Sequence, residues 1–231
     1  MRLLVSLFAA ILLWGCDAAG PTSPDPSLIT PEEEAAYAED AAVLAFRHQL
    51  AAGDSQSVEL PQSLVADLAD VLVRVRTSEH GGLIEGIRAR ADRSPVRLLV
   101  GVESEAGWAA AWRAGDVATG DEAIDGLVET YGLSLERYSE ALDWGVLVAP
   151  RPLNTVALGR RFEAVAGVRY AEPDGLVGDG DDVELGGDGG GGWVLVFSRG
   201  SGDCPSGCID RTYWTFRVVG ETVEYLGSRD R

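Results

Sequence analysis

Between Val96 and Glu172 the chain switches repeatedly between a strand-like and a helix-like hydrophobic period, and this alternation limits its fold more than any other feature. Val96–Glu103 is a short apolar run with β-branched residues, the pattern of a buried strand. A connection containing Trp108 and Trp112 follows. Thr119-Gly120-Asp121-Glu122 then has the spacing of a helix-capping box, and Ile124, Leu127, Val128 and Tyr131 carry a helical stripe that ends at Gly132. Leu133–Ser139 and Trp144–Ala149 read as consecutive strands. Asn154 caps a second helix holding Val156, Leu158, Phe162 and Val165, stopped by Gly167. Val168–Glu172 is a last strand, ended by Pro173. The expected order is β-α-β-β-α-β, with both helices packed on one face of a four-stranded antiparallel sheet.

That order is the split unit of a ferredoxin-like sandwich, which gives an α+β fold class with this domain over residues 94–174. The segment from Arg161, RFEAVAGVRYAEPDG, resembles the closing helix and strand of subtilisin-type propeptides and their stand-alone proteinase-inhibitor relatives. The matched positions are Gly167, Val168, Tyr170, Glu172 and Asp174. In that family the sheet docks on a protease, and the tail after the last strand enters the active site like a product. The resemblance therefore implies Tyr170, Glu172 and Asp174 as a protease-contacting tail. No protease domain follows, so the implied role is inhibitor or chaperone.

The N-terminus resembles an export signal of the bacterial lipoprotein kind. One positive charge and an apolar run lead to Leu13-Trp14-Gly15-Cys16, a lipobox in which Trp14 is bulkier than the usual small residue. Residues 1–15 are the expected signal peptide, and Cys16 the expected lipidation site. The run is too short for a membrane-spanning helix, which needs about 20 residues. An ordinary cleaved signal with an incidental cysteine is the alternative. The cysteine count agrees with export: with Cys16 assigned to lipid, Cys204 and Cys208 remain as a pair, most simply a disulfide in an oxidising compartment. A redox role is weaker, because three residues separate them where thioredoxin-type sites have two.

Residues 16–29 read as a lipidated tether, rich in Pro, Ser and Ala. Over residues 30–93 the expectation is helical. Thr30-Pro31-Glu32-Glu33 opens a helix to about Ala52, the stripe Leu64, Leu68, Val71, Leu72, Val75 marks a second, and a weaker third covers Leu83–Arg93. Residues 175–192 are glycine- and aspartate-rich and read as a linker. Calcium is the alternative there, because Asp179, Asp181, Asp182, Glu184 and Asp188 are oxygen donors, but their spacing matches no EF-hand loop. Residues 193–231 are expected to form a three-stranded β-meander: Trp193–Ser198, Arg211–Val219 and Thr222–Leu226, with Cys204–Cys208 closing the first connection. That module looks like the ends of uncharacterised exported bacterial proteins.

Composition narrows function mostly by exclusion. The 231 residues carry 19 basic and 37 acidic side chains, a formal charge of −18, and every basic residue is arginine. An acidic chain is repelled by phosphate backbones and anionic lipid, so no nucleic-acid partner is expected and membrane attachment falls to covalent acyl chains. Without lysine there is no Schiff-base or P-loop chemistry. Ser104 and Ser201 lie outside any nucleophile elbow, and the two histidines, His48 and His80, are far apart and too few for a zinc site. The expectation is no enzyme, no metal and no cofactor. Two roles remain: a membrane-anchored, non-catalytic binding or structural protein of the cell envelope, facing periplasm or exterior, or a propeptide-like inhibitor. The partner would be a protease or an envelope component, and a disulfide loop presenting Arg199, Asp203, Asp210 and Arg211 is a candidate contact. Trp193, Trp214 and Tyr213 are either core or part of an open binding surface.

Overall fold

The computed structural model describes residues 29–54, 56–187, 189–204 and 206–231. Among these residues the fold is α+β, with five α-helices and two four-stranded antiparallel sheets. The lipobox and tether expectations lie outside the described residues.

Helix α1, Pro31–Ala51, begins at the predicted cap: Thr30 accepts from the Glu33 backbone while the Glu33 carboxylate takes the Thr30 N–H. Helix α2, Gln62–Arg76, packs against it. The expected third helix over Leu83–Arg93 is corrected to a single 3-10 turn, Gly81–Ile84, followed by extended chain. Gly86 stops it with a φ of +76°. Beyond it, Ala89 and Arg90 give their backbone N–H groups to carboxylates on other elements, Asp40 and Asp182, and so leave no helical ladder to form.

The first sheet contains β1 (Arg97–Val102), β2 (Ser134–Ser139), β3 (Trp144–Val148) and β4 (Val168–Pro173), in spatial order β2-β3-β1-β4. Helices α3 (Ala109–Ala114) and α4 (Glu122–Tyr131) connect β1 to β2, and α5 (Thr155–Glu163) connects β3 to β4. The cap of α4 is Asp121 rather than Thr119, whose hydroxyl instead bonds Asp125. Asn154 caps α5 as expected. Leu98, Val100 and Val102 alternate onto the helix side, where they meet Trp112, Ile124, Leu158 and Phe162 in one core. Gly159 lets α5 sit directly on β4, since a Cβ there would lie 2.4 Å from the Ala171 carbonyl oxygen. The free edge of β4 is closed to strand addition. The Ala171 N–H is taken by the Glu163 carboxylate, and Pro173 has no N–H to offer.

The second sheet corrects the three-stranded expectation. Its order is β5-β6-β7-β8: Asp182–Gly187, Trp193–Ser201, Asp210–Val219 and Thr222–Asp230. The additional strand comes from the stretch read as a linker. Asp182-Val183-Glu184-Leu185 alternates, placing Val183 and Leu185 toward the helices and pairing them with Phe197 and Leu195. Glycine content hid this strand, and long-range ties define it: Asp182 accepts from the Arg47 guanidinium and the Arg90 N–H.

The helices find their partner at the other end of the chain. Leu44, Leu68, Leu72, Val75 and Ile87 share a core with Val183, Leu195, Phe197, Phe216 and Val218. The segment from β1 to β4 is therefore inserted between two halves of a helix–sheet layer. Its entry and exit run side by side: Ser94 N–H donates to Asp174, Asp174 N–H to Arg97, and Leu176 N–H to Ala91. On the far side, Glu59 bridges to Leu153 and its carboxylate pairs with Arg151.

Candidate binding surfaces

With α3, α4 and α5 on one side, the opposite face of the first sheet has no covering layer among the described residues. Register places its side chains in rows across the strands. One row is Ser139, Trp144, Gly101 and Tyr170, and the next is Arg137, Val146, Leu99 and Glu172. Gly101 is required here, because a Cβ would lie 2.1 Å from the Tyr170 ring that crosses it. Arg137 lies 5.2 Å over the Trp144 ring and Arg169 5.3 Å over Tyr170. At the end of the sheet, Arg97 bonds both Asp174 and Glu136. The structure thus brings Tyr170, Glu172 and Asp174 to one side of one sheet. Tyr170 is part of an aromatic stripe, Glu172 is exposed, and Asp174 is held in an ion pair.

The chain leaving β4 is fastened at both ends. Leu176 is bonded to Ala91, and three residues later Asp179 enters the disulfide loop. Cys204 and Cys208 are joined, with Cα atoms 3.9 Å apart. Asp179 donates its N–H to the Cys204 carbonyl, and its carboxylate accepts from the N–H groups of Cys208 and Gly180 and from Arg211. Those backbone bonds, led by Cys208, hold its pKa down at about 2. Leu176 and Val177 project between the two anchors, 61% and 100% exposed.

Of the four loop residues expected to meet a partner, the two arginines are already paired, Arg211 half-buried and Arg199 exposed. Arg211 is spent on Asp179 and the Ser198 hydroxyl, and Arg199 on the Glu85 carbonyl and Asp181. Asp203 and Asp210 are exposed, beside Ile209 at 72% exposure. Val177 ends the Glu172–Val177 tail that the resemblance implies, whereas sequence reasoning missed Ile209, since a single aliphatic residue in a loop carries no periodic signal. Trp193 and Trp214 pack into the core under the helices, whereas Tyr213 points outward beneath Arg229.

A second polar arrangement lies inside the helix–sheet layer. Asp40 is buried and accepts from Arg76, Arg88 and the Ala89 N–H. Burial pushes its carboxyl pKa up, against the pull of Arg88 and Arg76. The same burial pushes Arg76 down.

The groups weighed for catalysis have structural partners. Ser104 donates to Asp143, His48 meets the Trp193 ring edge-on, and His80 stacks on Tyr225. Among the described residues no group of three or more His, Cys, Asp or Glu is arranged to hold a metal ion. No helix among them is long and apolar enough to cross a membrane. No family model, no curated protein and no solved structure matches the chain.

Proposed function

We propose that the chain is an exported, lipid-anchored protein of the bacterial cell envelope with a non-catalytic binding or structural role. The observation that carries this reading is the division of the three cysteines. Cys204 and Cys208 close a disulfide within one turn, which fits an oxidising compartment and leaves only Cys16, at the end of the lipobox-like run. The chemistry is a transfer followed by a cut. The Cys16 sulfur takes a diacylglyceryl group from a phospholipid, whose headgroup phosphate leaves with the thiol proton; water hydrolyses the Gly15–Cys16 bond, and the freed amine takes an acyl chain from a second phospholipid, which leaves as the lysophospholipid. Two or more acyl chains are needed for stable anchoring, at about 0.8 kcal/mol per buried methylene. In cells fed labelled fatty acid, the protein should carry label and sediment with membranes. The Cys16→Ser chain should carry none and should not be processed at residue 16. Equal labelling of both chains would refute the anchor.

A second reading is favoured by topology. The element sequence β-α-α-β-β-α-β, the order β2-β3-β1-β4 and a helix layer on one face support a ferredoxin-like fold for residues 94–174. This is the fold that the resemblance of Arg161–Gly175 to propeptide-type inhibitors implies. The exposed Leu176–Val177 tip supports a contact role, although both its flanks are tied down. Inhibition of subtilisin-like proteases, lost when Leu176 and Val177 are both changed to glycine, is the expected result under this reading. No inhibition across a panel would exclude it.

A further inference from the structure

Among the described residues the two sheets end in the edge strands β2, β4, β5 and β8, and the first three are blunted. β4 is closed by Glu163 and Pro173. At β5 the Val183 carbonyl accepts from Arg47. β2 is six residues long and loses register between Leu135 and Arg137. β8 differs: it has nine residues, no proline and an open side. A long row of unpaired backbone groups is a template for another strand.

Register shows which groups face outward. Arg211 and Arg231 exchange both backbone hydrogen bonds, so alternate pairs along the ladder are bonded, Tyr213 with Arg229 and Thr215 with Gly227. There the register shifts, leaving Leu226 as an additional residue in β8. β7 keeps its alternation through the shift, so its Arg217 and Val219 are bonded to Glu224 and Thr222. β8 therefore turns the N–H and C=O groups of Val223, Tyr225, Ser228 and Asp230 away from β7. Among the described residues no other element bonds to them.

The bulge makes this edge complementary to itself. When two copies pair antiparallel about a two-fold axis, one register alone lets all of the outward residues meet. It sets Val223 opposite Asp230 of the second copy, and Tyr225 opposite its Ser228. Leu226 then faces Gly227 of the second copy, so bulge lies against bulge. The same register matches charge. Glu224 shares a face with Arg217, and Arg229 with Tyr213, on the side of the sheet away from the helices. In each half of the dimer, Glu224 stands opposite Arg229 of the other copy. Arg217 takes only one oxygen of Glu224, and among the described residues Arg229 has a ring beneath it but no carboxylate in ion-pair range. Between the two charge pairs lie the Leu226 side chains, 44% exposed in the single chain, over glycines that leave room for them.

We propose that the chain forms a symmetric dimer through β8, which joins the second sheets of two copies into one continuous sheet. The dimer goes beyond the anchoring role and uses none of the residues that carry it.

Sedimentation equilibrium of the full-length chain in density-matched detergent should show a reversible monomer–dimer equilibrium, with dimer predominant at about 100 µM. Ser228→Pro removes an outward N–H without touching the β7 ladder, and should leave only monomer. Glu224→Arg should weaken the dimer about tenfold or more, and adding Arg229→Glu should restore it to within about threefold. Each variant should keep the unfolding midpoint of the parent at a dilution where the parent is monomeric, which separates lost pairing from lost folding. Oxidation reads the register: chains carrying Glu224→Cys should cross-link to chains carrying Arg229→Cys, and neither should cross-link to its own kind. A chain still monomeric at about 100 µM would overturn the proposal. So would a dimer indifferent to Ser228→Pro and to the charge reversal, or cross-links no more frequent in the mixture than within either chain alone. None of these outcomes would touch the labelling result at Cys16.

Discussion

Replacing Asp40 with alanine should be among the most damaging single changes in the helix–sheet layer, because three donors converge on it. Arg76 Nη2 lies 3.0 Å from one carboxylate oxygen, and Arg88 Nε and the Ala89 N–H each lie 2.9 Å from the other. The side chains of Asp40 and Arg76 are only 2% and 6% exposed, so water cannot replace the lost acceptor. Breaking a buried pair by removing one partner costs about 3–5 kcal/mol. In a chain of this size that corresponds to a fall in Tm of roughly 10 °C. Removing both charges together is a different perturbation: Asp40→Leu with Arg76→Met should recover part of the loss, the buried Ala89 N–H still costing about 1–3 kcal/mol for its missing acceptor. Arg88 keeps a route to solvent and to Glu39, so it is not stranded by the double change. Urea unfolding at pH 7, followed by fluorescence, measures all three chains. A loss below about 1 kcal/mol in Asp40→Ala, or a double variant no better than the single one, would refute the account of this network.

The same network gives a pH dependence whose sign differs from that of Asp179. Burial raises the folded-state pKa of Asp40, so its contribution to stability declines as pH rises from the unfolded carboxylate range through that raised value. Asp179 is depressed to about 2, so its contribution is present above the unfolded value of about 3.9 and is lost as pH falls toward 2. A carbon-detected NMR titration of the Asp179 carboxylate should give a midpoint near 2, moving toward the ordinary value in Cys204→Ser, which frees its receptor loop; an unchanged midpoint would contradict that coupling. Gly159→Ala should destabilise the first sheet by about 1–3 kcal/mol in urea, since its Cβ would collide with the Ala171 carbonyl. Trp214→Ala should cost about 3 kcal/mol and loosen the second sheet, measured by the same unfolding; a fully stable variant would place Trp214 outside the core.

Much of the first sheet was legible because each of its elements carries its own local signal. Leu98, Val100 and Val102 alternate, Asn154 caps α5, and Gly132 and Gly167 end turns with left-handed φ values. The second layer was only half legible. Nothing in α1 or α2 states that their apolar faces are completed by Phe197 and Phe216, because periodicity identifies a buried face without naming what covers it. β5 was lost for a related reason: Val183 and Leu185 are too brief a pattern to outweigh the glycines around them, and Arg47 and Arg90 fix the strand from far away in sequence. The candidate surfaces divide the same way. Tyr170, Glu172 and Asp174 could be named from a motif, whereas the Asp179 knot exists only once remote segments meet.

The lipid anchor at Cys16 is the claim on which the proposed function turns, and intact mass spectrometry of the protein extracted from its native membrane tests it most directly. The account predicts a chain that begins at Cys16, carries the added mass of a diacylglyceryl group and an amide-linked acyl chain, and retains the Cys204–Cys208 bond without reductant. A chain that begins elsewhere, or begins at Cys16 with no lipid mass, would contradict it.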